Sequence, residues 1–254
     1  MTLNALAVVK DASVLGDFMS FYHDSTRHIP AVEAFKGELA RAGLKTSYGN
    51  PTLFHVRDDL VMLMINHEYG IEAYDAAQIT EATMRSRAEV FKVMRGLRAL
   101  GGAWEGIQIA ATAEQIGVRD GRRIHGRYTM TKEDLITGSR YDDAVARVTF
   151  GADIHAADSA TNDKETISHG GFKTKPYDIP LRALIANDVD GLMMAGRCIS
   201  GDFISHASYR VTGNAVAMGE SAGVVASVAA RSKRLPHEVE WSEGTALLAK
   251  IRTV

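Results

Sequence analysis

The stretch GLMMAGRCISGDFISHASYRVTGNAVAMGESAGVVASVAARS, residues 191–232, decides the fold. Its apolar start, Leu192 to Ala195, predicts a buried strand. Gly196 then permits a tight turn, and Arg197 places a fixed positive charge at the end of that strand. A helix is predicted from about Gly213 to Arg231. Ligand crevices in α/β sheets open at strand ends, so this strand end is a candidate position for a ligand.

The predicted helix has small residues along one side. They are Ala215, Gly219, Ala222, Gly223 and Ala226. The helix backbone can therefore lie close to a flat ligand, or equally well to another helix, and spacing alone does not separate these interpretations. The free amide groups of Val211 to Asn214 and the aligned peptide dipoles create partial positive charge at the helix start, where an electron-rich oxygen is favoured.

Several blocks of the chain resemble the family of FAD-dependent oxidoreductases. AGRCIS (195–200), HASYR (206–210) and MGESAG (218–223) look like the terminal flavin-binding motif of that family. QIGVRDGRRIHGRYTMTKEDL (115–135) and YDIPLRALI (177–185) resemble its middle and late blocks, in the expected order. Arg210, Gly213 and Asn214 are similar, more distantly, to the pattern that lies over the flavin in fumarate-reductase-like enzymes. The likeness covers about residues 75–232 well and residues 1–74 loosely.

The resemblance implies FAD as cofactor and hydride transfer between a small organic substrate and the flavin. The residues implied as cofactor contacts are Gly196, Arg197, Ser200, Ser208 and Arg210. The backbone of Val211, Thr212, Gly213 and Asn214 is implied to meet the edge of the flavin on which negative charge collects during reduction. Phe203 stands where many relatives have a second histidine, and residues 212–214 replace a more usual proline-containing turn. These departures leave the substrate chemistry open.

His206 is the candidate catalytic residue. The resemblance places it between the strand end and the flavin-facing helix, where it is expected to give or take a proton beside the flavin N5. The alternative is a histidine that is hydrogen-bonded to backbone in a tight connection. Both interpretations remain open from the sequence.

Arginines crowd the segment 119–127, in which Gly117, Asp120 and Gly121 mark turns. Strand alternation would place Arg119, Arg123, His125 and Arg127 on one face. A solvated face is one interpretation. The resemblance instead implies that Arg119 and Arg123 bind a polar or anionic substrate, and Tyr177 is a further candidate for substrate binding.

The family's amino-terminal dinucleotide-binding motif is not found in the chain. In that family a strand, a Gly-x-Gly-x-x-Gly turn and a helix hold the pyrophosphate. The nearest glycine cluster, GLRALGGAWEG (96–106), follows a helix. We therefore expect the carboxy-terminal half of a flavoprotein, inactive alone and dependent on a partner chain or segment that carries the missing half. The alternatives are a non-catalytic subunit that packs against a flavoprotein, or an unrelated α/β binding module.

The pattern of elements predicts an α/β fold with a mixed sheet. Strands are predicted at 3–9, 52–56, 60–65, 107–113 and 124–129, and helices at 31–42 and from Asp75 to near Gly101. Regular structure is expected to return at 177–185. Thr131 and Asp134 predict a capping box before a short helix. The expected domains are a substrate-side region (1–177, with a polar loop at 151–175), the end of the flavin domain (178–232) and a tail (233–254).

Composition excludes several classes of function. The formal net charge of -2 disfavours nucleic acid and anionic lipid as partners. The single cysteine, Cys198, excludes a disulfide framework and favours a cytoplasmic chain, and no apolar stretch predicts a membrane span. His155 and His169 lie near Asp153, Asp158 and Asp163, but their spacing fits no metal pattern, and no metal is expected. A homo-oligomer is a possible assembly.

Overall fold

The computed structural model describes residues 1–19, 28–155 and 171–252. They form an α/β fold that divides into two compact units, the first covering Met1–Arg119 and the second mainly Asp120–Ala156 and Lys164–Val254. The boundary predicted at residue 177 separates a substrate-side region from the end of the flavin domain, and this assignment stays a prediction. No helix within the described ranges is long and apolar enough to cross a membrane.

The first unit is a four-stranded sheet covered by two helices. Its strands are β1 (Ala5–Val8), β2 (Thr52–Arg57), β3 (Leu60–Met64) and β4 (Gln108–Thr112), and its helices are α1 (Ala31–Arg41) and α2 (Ala76–Leu100). The strand order is β2-β3-β1-β4, and every ladder is antiparallel. The two helices and four of the predicted strands are thus confirmed. Parallel pairing among the described residues is limited to isolated bridges such as Met19 to Leu53.

Helix α2 begins and ends where its capping residues predict. The side chain of Asp75 accepts hydrogen bonds from the amides of Ala77 and Gln78, and Gly101 ends the helix with φ 64. The apolar face of the helix, which includes Val90 and Leu97, is buried against the sheet in the core of this unit. This packing explains why the period of three and four residues predicted the helix.

The described part of the second unit contains a two-stranded sheet and four helices. Strands β5 (Ala144–Val148) and β6 (Tyr177–Pro180) pair antiparallel. The helices are α3 (Lys132–Thr137), α4 (Phe203–Tyr209), α5 (Thr212–Ser232) and α6 (Trp241–Arg252). Of these, α3 with its capping box and α5 confirm predictions. Residues 233–254, predicted as a tail, contain α6, which packs on α5.

Two predicted strands are wrong. Residues 124–129 make one isolated bridge, between Gly126 and Ala186. The chain there runs beside the 3₁₀ turn Leu181–Ala183, where the amide of Tyr128 donates to the carbonyl oxygen of Arg182. The expected alternation of arginines on one strand face therefore does not exist. The run Leu192 to Ala195 is irregular and makes one isolated bridge, between Met193 and Ile185, and Leu192 is 37% exposed. Residues 192–195, which directly precede the motif, are therefore not the buried strand that was predicted.

The predicted polar loop is only partly described. Residues 151–155 and 171–175 form no helix or strand. The remaining residues of that loop, with His169, Asp158 and Asp163, lie outside the described residues.

Candidate functional site

A tight turn holds the first residues of the motif beside helix α5. Gly196 begins a short 3₁₀ turn with φ +75, which side-chain-bearing residues rarely adopt. A Cβ at Gly196 would lie 3.5 Å from the Cβ of Ala215, so the turn packs on the first part of α5. Arg197 is exposed, whereas Gly196 is buried. The chain conformation thus requires the glycine that the motif provides.

The start of α5 lacks a side-chain cap. Val211 occupies the N-cap position and makes no side-chain hydrogen bond to the helix, and the first turn contains no acidic residue. Thr212 and Gly213 are exposed there. Amide groups in the first turn of a helix have no carbonyl partner within the helix, so this end is electropositive and open to an acceptor.

Arg210 reinforces the positive charge next to this helix start. It is 8% exposed, and its Nη2 donates to the carbonyl oxygen of Asp153 at 2.8 Å. That bond fixes the guanidinium directly before α5. A guanidinium remains charged at any pH relevant here.

Part of the small-residue side of α5 faces outward, although Ala215 and Ala222 pack against the core. Gly213, Gly219 and Gly223 are exposed, and a Cβ at any of them would meet no described atom within 4 Å. Val216, on the same side, is 58% exposed. Within the described residues the glycines therefore do not serve tight helix packing, which was the alternative interpretation of their spacing. The stripe formed by these four residues is called the open face of α5 below.

His206 lies in the buried interior of the unit, on helix α4. Its side chain is 0% exposed, and neither ring nitrogen makes a hydrogen bond of normal geometry to any described residue. Asp202 caps α4 by accepting from the amide of Ser205 at 2.7 Å, which sets where the helix begins. The ring packs edge-on against Tyr209, with 5.4 Å between the ring centroids.

The environment keeps this histidine neutral at neutral pH. Burial lowers the pKa of His206 to about 4, and the positive charges of Arg123 and Arg210 lower the pKa further. The carboxylate of Asp120 raises it, as does the backbone of Arg197, a hydrogen-bond partner outside normal geometry. Since a neutral imidazole has one nitrogen with a lone pair, His206 is able to accept a proton from a bound ligand. Because the backbone of Arg197 acts on the ring as a hydrogen-bond partner, the alternative interpretation of a backbone-bonded histidine stays open.

Three other predicted contact residues are committed to internal hydrogen bonds. Ser208 is 0% exposed, donates to the carbonyl oxygen of Phe150 at 2.6 Å and accepts from the hydroxyl of Tyr177 at 2.9 Å. Tyr177 is also fully buried, and burial raises its pKa. Ser200 is 1% exposed and its hydroxyl pairs with that of Thr129 at 2.9 Å. These bonds satisfy the three hydroxyls from within the protein, and their roles as ligand contacts stay predictions.

The two predicted substrate arginines belong to different units. Arg119, in the first, approaches Nε2 of His67 through Nη1 at 3.4 Å, and the ring of His67 stacks on Tyr48. Arg123, in the second, pairs through Nη1 with Asp120 at 2.9 Å. The structure thus places Arg123, but not Arg119, in the unit that holds the flavin-like motif.

Asp120 and Asp153 are site residues that the sequence did not reveal. Asp120 was predicted only as part of a turn, and Asp153 only as part of a polar loop and of a grouping that fits no metal pattern. Both contact motif residues through long-range folding, Asp120 through its carboxylate and Asp153 through its backbone carbonyl. The one local signal was the spacing of Asp120 and Arg123, which allows an ion pair. Within the described residues, no three His, Cys, Asp or Glu side chains are grouped to hold a metal ion.

Comparison with known proteins gives one family. The model of the family "FAD dependent oxidoreductase" matches residues 16–252, nearly the whole chain. This chain belongs to the FAD dependent oxidoreductase family. FAD is accordingly its cofactor, and oxidation–reduction its general class of reaction. The match begins well before residue 75, so the family likeness extends further toward the amino terminus than the motifs alone indicated. Searches of curated proteins and of solved structures each gave no significant match.

The residues present fit a flavin at the start of α5. An uncapped, electropositive helix end suits the electron-rich edge of the ring, and an open glycine face allows close approach of a planar group. The buried, unbonded ring nitrogens of His206 lie in the same unit and on the helix directly before.

Proposed function

We propose that this chain binds the isoalloxazine end of FAD at the turn of Gly196 and the start of α5, and takes part in hydride transfer to or from a small organic substrate. One observation carries the proposal: His206 is wholly buried and neutral, and neither of its ring nitrogens makes a hydrogen bond of normal geometry to a described residue. A buried polar ring left without partners costs stability, which is expected where a ligand completes the site.

Each element of the site has a proposed role. The amides of Val211 to Asn214 bind the oxygen-bearing edge of the flavin, and Arg210 adds positive charge there. When bound, FAD supplies the two-electron acceptor or donor. His206 holds or releases the accompanying proton through a ring nitrogen.

Arg123 contributes to substrate binding in this proposal. A guanidinium has five N–H donors, and the ion pair with Asp120 uses one of its nitrogens, so donors remain for a carboxylate or carbonyl of the substrate. Arg119 stays a predicted substrate contact. Ser200, Ser208 and Tyr177 support the site by fixing the segments around α4.

We also propose that the AMP half of FAD is bound by a partner chain or a segment outside this sequence. No Gly-x-Gly-x-x-Gly motif occurs in the 254 residues. The open face of α5 exposes Val216 beside three glycines, a surface suited to close contact with another backbone. The isolated chain is then inactive and retains little FAD. A reducing cytoplasm fits its single cysteine.

Titration with truncated flavins tests the proposal. Riboflavin, FMN and FAD share the isoalloxazine ring but differ in the phosphate and AMP groups. The purified chain, colourless as isolated, should bind all three weakly and with similar affinity, measured by the change in flavin fluorescence. FAD that binds far more tightly than riboflavin would place the pyrophosphate site in this chain. Failure of all three to bind would favour a non-catalytic subunit that only packs against a flavoprotein.

A further inference from the structure

Asp120 is the carboxylate that faces His206. Its Oδ1 lies 3.6 Å from Nδ1 of the imidazole, although the two residues come from a loop and from helix α4. A hydrogen bond needs a separation of about 2.7–3.2 Å, so a small closing movement of one side chain forms it. The carboxylate side chain is 41% exposed and the imidazole 0% exposed, so Asp120 lies at the rim and His206 inside.

Arg123 fixes the carboxylate in this position. Its Nη1 bonds to the same Oδ1 at 2.9 Å. Two other groups act on His206: the guanidinium of Arg210 by its charge, and the backbone of Arg197 as a hydrogen-bond partner that competes with Asp120 for the ring proton. The ring of Tyr209 covers one side of the imidazole. Asp120 is therefore the one negative charge among the groups found to act on this imidazole.

We infer that Asp120 is a positioning residue for His206: it holds the proton of the neutral ring on Nδ1 and leaves the lone pair of Nε2 for the proton that substrate gives up. The proton transfer rests on the proposed function, whereas the tautomer does not. Carboxylates that bond to one imidazole nitrogen commonly set the tautomer and orientation of catalytic histidines.

The proposed step balances in both protons and electrons. In the oxidative direction, the substrate C–H bond breaks and its two electrons leave with the hydride to the oxidised flavin. The substrate O–H or N–H proton passes to Nε2 of His206, and a carbonyl or imine forms. The resulting imidazolium is stabilised by the carboxylate of Asp120, since an opposite charge at this distance favours the protonated form. In the reductive direction every transfer is reversed.

The tautomer of His206 can be measured without any cofactor. In protein labelled with ¹⁵N-histidine, long-range ¹H–¹⁵N correlation spectra distinguish the ring with the proton on Nδ1 from the ring with the proton on Nε2, and His206→Gln assigns the signal. We expect the Nδ1–H form in the wild-type chain at pH 7. Asp120→Asn should shift the population toward the Nε2–H form, and Asp120→Glu should restore the Nδ1–H form in part.

The controls separate positioning from a general structural effect. Asp188→Asn, a change of the same kind at an exposed turn position, should leave the spectrum unchanged. Arg123→Gln should weaken the preference for the Nδ1–H form, because Arg123 holds the carboxylate of Asp120 in place. If Asp120→Asn does not fold, this second variant tests the inference. An Nε2–H ring in the wild type, or a ring unchanged in both Asp120→Asn and Arg123→Gln, overturns the inference. Riboflavin binding tests the proposed function separately, so the proposed function and the tautomer assignment can each fail without the other.

In the flavin-loaded enzyme, Asp120→Asn should lower turnover by about 10²-fold or more, the usual contribution of general acid–base catalysis. The Michaelis constant should change little, because Asp120 acts through His206. A raised Michaelis constant with unchanged turnover would show instead that Asp120 binds substrate.

Discussion

Replacing Gly219 and Gly223 with alanine tests the open face of α5 directly. Both residues lie well inside this 21-residue helix, and a Cβ at either would meet no described atom within 4 Å. Alanine in an exposed helix interior is favoured over glycine by about 0.8–1.0 kcal/mol. With no collision to offset this gain, the double variant should be more stable by about 2 kcal/mol. For a chain of this size that corresponds to about 4–8 °C in Tm.

The same two methyl groups should weaken flavin binding. A planar ring or a partner backbone can approach a glycine surface more closely than an alanine surface. We therefore expect the double variant to be more stable in thermal unfolding, followed by circular dichroism, and to bind riboflavin less tightly. Gly37→Ala is the matched control, because Gly37 is exposed inside helix α1 and has equally open space around it. It should gain about 0.8–1.0 kcal/mol and leave riboflavin binding unchanged.

Two results would refute this reasoning. If the double variant is less stable than the wild type while Gly37→Ala gains stability, the glycines pack against part of the protein and the face is not open. If stability rises but riboflavin binding is unaffected, the face is open but the flavin does not lie on it.

Three further predictions follow from the second unit. The free energy of unfolding of the wild type should decrease as the pH is lowered from about 6.5 to about 4, because His206 takes up a proton in the unfolded chain but not in the folded one. Urea unfolding of His206→Gln should lack this part of the pH dependence. Tyr177→Phe and Ser208→Ala should each cost about 1–3 kcal/mol, since each breaks the buried hydroxyl chain. A double-mutant cycle should give a coupling energy above about 0.5 kcal/mol, whereas strictly additive effects would show that the two hydroxyls are not coupled. In the complete enzyme, Arg210→Leu should lower the flavin potential by removing about 1–3 kcal/mol of stabilisation of the reduced form. Arg123→Leu should raise the Michaelis constant with the potential near wild type, and the reverse pattern would exchange the two assignments.

Local signals made part of the fold predictable. Asp75 and Gly101 bound α2 because an N-cap carboxylate and a left-handed glycine act within one turn of the chain. The capping box of Thr131 and Asp134 likewise predicts α3. Where an apolar run has no ladder partner, as at Leu192 to Ala195, composition alone predicted a strand that the fold does not form.

The sequence by itself determined the family, the cofactor class and the residues of the terminal motif, because these are written in contiguous blocks. Only the tertiary structure decided what those residues face. In the folded chain the glycines of α5 face outward, the hydroxyl of Tyr177 donates a hydrogen bond to Ser208, and His206 is buried beside Asp120. Such relations join residues distant in the chain, and they depend on how helices and turns pack against one another, which no local pattern specifies.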